Sequence, residues 1–177
     1  MKVKNNKTAI ETAYTYLASR MRTCAEVEKH LKDRGYAESE ILDAINELIG
    51  MRYLDDYQYA LRYYEYNREK RRGSGRAARE LAEKGVDSET IRNAREDYLF
   101  SEKVDEYEDA LAAAEKELQL NAGGELMPGG EADIPAVPMD EKLAAKIARK
   151  LDSRGYERSD IFRVLEELRR RHGNGND

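Results

Sequence analysis

Apolar residues recur along this chain at helical spacing and, in three places, in the same order. Leu31-Lys-Asp-Arg-Gly35-Tyr36 runs on to Ile41 and Leu48. Leu81-Ala-Glu-Lys-Gly85-Val86 runs on to Ile91 and Tyr98, and Leu151-Asp-Ser-Arg-Gly155-Tyr156 to Ile161 and Leu168. The three align without a gap: an apolar residue, three spacers, Gly, an apolar residue, Ile five positions on, and an apolar residue seven after that. Each copy predicts a helix, a tight turn and a second helix. The glycine follows a helical pattern ending in Arg or Lys, where a left-handed residue closes a helix at little steric cost. Ser39, Asp87 or Ser88, and Ser159 are the cap oxygens expected for the helices that follow.

A further amphipathic helix precedes each pair. Ile10, Tyr14, Leu17 and Met21 mark the stripe of the first, with Thr8 and Glu11 spaced as a capping box. Thr23 with Glu26 is a second box, opening the helix that carries Val27 and Leu31. In the middle segment Asp55 and Gln58 open a helix striped by Leu54, Tyr57, Leu61 and Tyr64. The last begins after Ser101 and runs through Val104, Tyr107, Leu111, Ala114 and Leu118. The pattern predicts an all-α chain, an elongated tandem array of three three-helix repeats, with the handedness of stacking open. The repeats span 1–52, 53–99 and 100–171. A flexible acidic loop at 121–138, holding four glycines and all three prolines, interrupts the third, and 172–177 form a disordered tail. Each repeat has too few apolar side chains to hold itself against chain entropy, so neighbours are expected to share interfaces.

Composition fits thin helical layers better than one thick core. Charged residues make up 38% of the 177, there is no Trp, and mean hydropathy is −0.88. The net charge of −5 argues against naked nucleic acid as the main target, because phosphate neutralisation supplies most of the affinity of a nonspecific DNA binder. One cysteine, Cys24, allows no internal bridge. No apolar run approaches the ~20 residues that cross a bilayer, and MKVKNNK is not followed by a signal-like apolar core, so a cytoplasmic location is expected.

Catalytic candidates fail on geometry. Asp55 and Asp56 are adjacent and point about 100° apart on a helix, which suits a cap and dipole complement better than a metal or acid–base pair. His30 and His172, the only histidines, belong to no metal-binding pattern and are expected as exposed helix-end residues. Gly73-Ser74-Gly75 is too short for a phosphate-binding loop. The sequence therefore predicts no enzyme, no cofactor and no metal.

The middle repeat carries a more specific likeness. Tyr53-Leu54-Asp55-Asp56 with Tyr59-Ala60, then Arg68, Gly75-Arg76, and Glu80-Leu81 with Lys84-Gly85-Val86, together with the triplicated Leu-x-x-x-Gly motif, resembles the RecX family over roughly residues 8–171. The resemblance implies a modular all-helical protein that binds the RecA recombinase filament in its groove. It also implies modulation, usually inhibition, of RecA ATP hydrolysis and strand exchange in recombination and repair. A monomer with weak DNA contact as a side activity is the expected state. The acidic first helix of the third repeat (Glu102, Asp105, Glu106, Glu108, Asp109, Glu115, Glu117) and the 121–138 loop depart from the family pattern.

The candidate contact residues are a basic cluster standing out in an acidic chain: Arg68, Lys70, Arg71, Arg72, Arg76 and Arg79. Arginine favours planar contacts with carboxylate or phosphate, and Gly73 and Gly75 are expected to turn the backbone sharply among these side chains. Tyr63 and Tyr66 lie off the apolar stripe and join the cluster as partner- or DNA-binding candidates. Two other readings fit the same residues. One is a helix–turn–helix DNA-binding protein, although Ser39–Met51 and Ser159–Arg171 share no base-reading set. The other is a helical scaffold for a different partner.

Overall fold

The structure is a computed structural model and describes residues 7–101, 104–121 and 139–172. Among them the regular structure is entirely helical: α1 Ala9–Leu17, α2 Cys24–Lys32, α3 Glu38–Gly50, α4 Asp56–Glu69, α5 Ser74–Glu83, α6 Ser88–Ser101, α7 Glu106–Asn121, α8 Glu141–Arg154 and α9 Arg158–His172. None of these helices is long and apolar enough to cross a membrane. In the first repeat α1, α2 and α3 pack on one another in all three pairs, and α7, α8 and α9 do the same in the third. Contacts group the chain into two compact units. One takes Met1–Glu65 with Ala78–Phe100, the other Tyr66–Ala77 with Ser101–Asp177.

The repeated motif builds the same corner three times. Gly35, Gly85 and Gly155 have φ of 85°, 80° and 85°, in the left-handed region that a Cβ disfavours. The residue after each glycine donates its N–H back to the motif leucine carbonyl: Tyr36 to Leu31, Val86 to Leu81 and Tyr156 to Leu151, at 3.1–3.4 Å. That bond satisfies a carbonyl the helix end leaves orphaned. The leucines themselves are buried, as are Ile41, Ile91 and Ile161 and, seven residues on, Leu48, Tyr98 and Leu168. Each turn thus fixes the angle at which two apolar stripes meet.

Helix starts follow the sequence closely, with informative exceptions. Thr8 with Glu11 and Thr23 with Glu26 both form complete capping boxes. Asp55 accepts the Gln58 N–H at 2.9 Å, and Asp87 accepts those of Glu89 and Thr90. Ser39 and Ser159 are not caps, because α3 begins at Glu38 and α9 at Arg158, which places both serines inside the first turn. Ahead of α3, Ala37 has no side-chain oxygen to offer, and Glu40 instead accepts the Ala37 N–H. Asp105 caps α7, and Ser101 ends α6.

The buried faces are also rotated slightly from the expected stripes. In α1 the innermost residues are Ala9, Thr12 and Ala13; Ile10, Tyr14 and Leu17 pack at their margin, and Met21 lies exposed beyond the helix. In α4 they are Ala60, Tyr64 and Asn67, with Tyr57 and Leu61 flanking. Small residues let helices approach closely, so the point of nearest contact falls on alanines that a search for large apolar side chains passes over. Of the expected loop at 121–138, Asn121 instead closes α7, and 122–138 lie outside the described residues. His172 likewise belongs to α9, with 173–177 outside the description, as is Glu102.

Candidate partner-binding surface

Two inter-repeat joints, one in each unit, are built from equivalent positions. In the first unit the Thr23 hydroxyl donates to the Lys84 carbonyl at 2.7 Å, and the Cys24 N–H to Asp56 at 2.9 Å. In the second unit the Gly73 N–H donates to the Arg154 carbonyl at 3.0 Å, and the Ser74 N–H to Glu106 at 2.6 Å. Lys84 and Arg154 each precede a turn glycine. Asp56 and Glu106 each sit in the first turn of the next repeat's opening helix and cap a helix of the preceding repeat. Asp56, of the pair expected as a cap and dipole complement, is therefore a cap, and one that reaches across to another repeat. Burial, opposed by its bonds to Cys24, raises the Asp56 carboxyl above the ordinary range.

Backbone contact explains the glycines at the second joint. A Cβ on Gly73 would stand 2.4 Å from the Gly155 carbonyl oxygen, and one on Gly75 2.9 Å from the same atom. Neither glycine has positive φ. The left-handed residue that bends the chain after α4 is Arg71, with φ of 54°. Gly73 and Gly75 are needed because two backbones touch, and the sharp turn expected of them is made two residues earlier.

Six of the eight sequence-nominated contact residues lie in the second unit. Arg68, exposed, pairs through Nε with Asp109 at 2.9 Å. Arg76 donates to the Ser153 carbonyl at 3.2 Å. Arg72, half-buried, donates its backbone N–H to the Asn67 carbonyl. Lys70 and Arg71 are exposed, Lys70 lying 5.4 Å from the centre of the Tyr66 ring, which is itself 48% exposed. The Arg71 carbonyl accepts from Arg154. Arg68 and Arg76 thus help hold the corner to the third repeat, and the acidic face of α7 supplies the carboxylate for the first. Lys70, Arg71 and Tyr66 present the outward chemistry.

Tyr63 and Arg79 lie in the first unit. The Tyr63 hydroxyl donates to Glu80 at 2.7 Å, its ring stacks with that of Tyr59, and Lys84 lies 5.7 Å from its centre. Arg79 is exposed on α5.

Nucleophilic chemistry finds no support at Cys24. Burial, reinforced by the Asp56 charge, pushes its thiol up to about 12, so the thiolate that would react is scarce at neutral pH. Among the described residues no group of three His, Cys, Asp or Glu side chains is placed to hold a metal ion.

Repeated three-helix units joined in this way define a class of modular, all-helical protein. A family profile described as RecX, first three-helix domain, matches residues 9–48. Regulatory protein RecX of Bacillus licheniformis is 40% identical over 115 residues, 64% of this chain and 42% of that protein. Its counterpart in Bacillus cytotoxicus is 27% identical over 158 residues, 89% of this chain and 52% of that protein. The chain thus spans about half or less of these relatives' lengths. The crystal structure of RecX from Lactobacillus salivarius superposes with a TM-score of 0.72 at 24% identity, covering 90% of this chain and 94% of that one. These likenesses support a RecX family protein: residues 9–48 match the family's first three-helix domain, and the chain shares the fold of the solved RecX structure.

Proposed function

We propose that this chain is a regulator that binds the RecA recombinase filament in the cytoplasm and slows its ATP hydrolysis and strand exchange, without chemistry of its own. The observation that supports this best is the likeness to RecX proteins, carried by the matched first repeat and the 40% identity to a regulatory protein. The corner adds a physical reason. Arg71 keeps a long cationic side chain at a left-handed φ, a conformation that costs an L-residue roughly 1–2 kcal/mol and that glycine adopts without penalty. A strained, exposed arginine beside Lys70 and Tyr66 has the character of a recognition residue. Modulation then follows from preferential binding to one arrangement of filament subunits, which shifts the population of catalytically competent ones.

Co-sedimentation with RecA filaments on single-stranded DNA tests the surface. Replacing Lys70 with Gln and Arg71 with Gly is expected to weaken binding by about 3- to 30-fold and to flatten its salt dependence, in line with the modest energy of exposed charges at an interface. Stability should stay level or rise by up to ~1 kcal/mol, because Arg71→Gly removes the backbone strain. Unchanged affinity in a folded double variant would remove the corner from the interface.

A further inference from the structure

A second feature of the first unit stands apart from the basic corner and from the reading just given. Lys7, Thr12, Thr15, Tyr16, His30 and Arg34 line a cavity of about 350 Å³ beside α1 and α2. That volume falls in the ~300–1,000 Å³ range of small-molecule sites. Three of the six side chains are basic, and none is a carboxylate, in a chain whose net charge is −5.

The hydrogen bonds show which donors the cavity offers. The Tyr36 hydroxyl donates to the Lys7 carbonyl, so the Thr12 hydroxyl must donate to Tyr36; the Thr15 hydroxyl donates to the Glu11 carbonyl. The Thr12 and Thr15 hydroxyl protons are therefore committed to the wall. Lys7 Nζ makes only a long 3.4 Å contact with Thr15. Arg34 contacts His30 Nδ1 and its carbonyl through Nη1 alone, at 3.1 and 3.3 Å, leaving the rest of its planar fork for a ligand. Because Arg34 donates to Nδ1, the His30 proton sits on Nε2. The ring stacks on Tyr16 at 3.6 Å, and the Arg22 guanidinium lies 4.1 Å from the centre of that same tyrosine ring. Arg22 Nε is shielded from solvent and has no hydrogen-bond partner among the described residues.

We propose that this cavity binds a tetrahedral oxyanion of the phosphate class, held by Lys7, Arg34 and His30: as the anion enters, Arg34 Nη1 turns from His30 Nδ1 to the anion, and the Nδ1 so released takes up a proton from solvent. The electrostatics agree with the geometry. Burial, and then the charges of Arg34 and Arg22, hold His30 below its ordinary value, opposed only by Asp33. An anion among these groups offsets Arg34, Arg22 and Lys7 and favours the imidazolium. Binding therefore strengthens as pH falls through the histidine range. The stacked Tyr16–His30 pair gives an attached nucleobase an aromatic neighbour.

The test follows His30 by NMR through a pH titration in chloride and in sulfate at equal ionic strength. Sulfate keeps its charge over this range, and His172 serves as the internal control. The His30 pKa is expected to rise by about one unit in sulfate, with His172 unmoved. Sulfate should then bind roughly tenfold more tightly at the acid end of the titration than at the alkaline end. Arg34→Gln should abolish the difference between the two salts, with helix content unchanged by circular dichroism. Identical His30 titrations in chloride and sulfate, or a response that survives Arg34→Gln, would overturn the proposal. Adenosine monophosphate and short oligothymidylates with and without a 5′-phosphate identify the source. A shift with the phosphorylated forms alone assigns a terminal phosphate, and a shift with all three assigns backbone phosphate as well. No shift with sulfate, the nucleotide or either oligonucleotide leaves no anion site.

Discussion

Replacing Gly155 with Ala destabilises the second unit by about 2–5 kcal/mol, measured as a lowered urea midpoint by circular dichroism. Two costs combine. The residue has φ of 85°, where a Cβ costs roughly 1–2 kcal/mol. That Cβ would also stand 2.4 Å from the backbone nitrogen of Arg76 and 2.8 Å from its Cα, so backbone must move, with overpacking costs of about 1–3 kcal/mol. Movement there strains the Gly73 bond to the Arg154 carbonyl and the double grip of Glu106 on Ser74, both within the same joint. Gly50→Ala is the internal control. Gly50 closes α3 with nothing within 4 Å of its missing Cβ, and the same substitution should leave stability level or raise it by roughly 0.5–1 kcal/mol. Equal, small effects at the two glycines would mean that the Gly155 joint does not exist as described.

The second large effect belongs to the first unit. Leu31→Ala is expected to cost about 2–5 kcal/mol, the transfer energy of the lost atoms plus the cavity they leave. Leu31 is fully buried in a cluster with Ala9, Ala13, Val27, Ile41, Ala44, Leu48 and Leu54, and its carbonyl closes the turn at Gly35. A whole domain is held by only some 5–15 kcal/mol, so this one change removes a large share. Leu42→Ala, on the same repeat but 59% exposed, should stay within about 0.5 kcal/mol of the parent. Hydrogen exchange of α2 and α3 amides in both variants is the direct measurement.

Much of this architecture is readable in the sequence because it is written locally. The turn glycines, the Thr8 and Thr23 capping boxes and the Asp55 cap depend on residues three to six apart, and each forms as expected. The joints were missed because Cys24 and Asp56, like Ser74 and Glu106, are 32 residues apart. A signal existed all the same. Both pairs have the same spacing and the same register to the motif, so superposing the first and second repeats places one carboxylate on the other. Ser39 and Ser159 misled for the opposite reason. A hydroxyl near a helix start competes with the backbone register, and here Ala37 with the Glu40 side chain settles it.

The basic cluster was legible as composition and only partly as function. Charge alone does not separate Arg68, committed to Asp109, and Arg76, committed to Ser153, from Lys70 and Arg71, which face outward. That division needs the acidic face of α7 in place, and the sequence had read that face as a departure from the family. His30, expected at an exposed helix end, is half-buried against Tyr16, a contact across helices that no spacing rule announces.

RecA-catalysed, DNA-dependent ATP hydrolysis, followed over a titration with this chain, bears most directly on the proposed regulation. Hydrolysis should fall progressively and saturate, and the Lys70→Gln, Arg71→Gly variant should need several-fold more protein to reach the same level. A rate that stays flat from sub-stoichiometric amounts to a large excess over RecA would contradict the account.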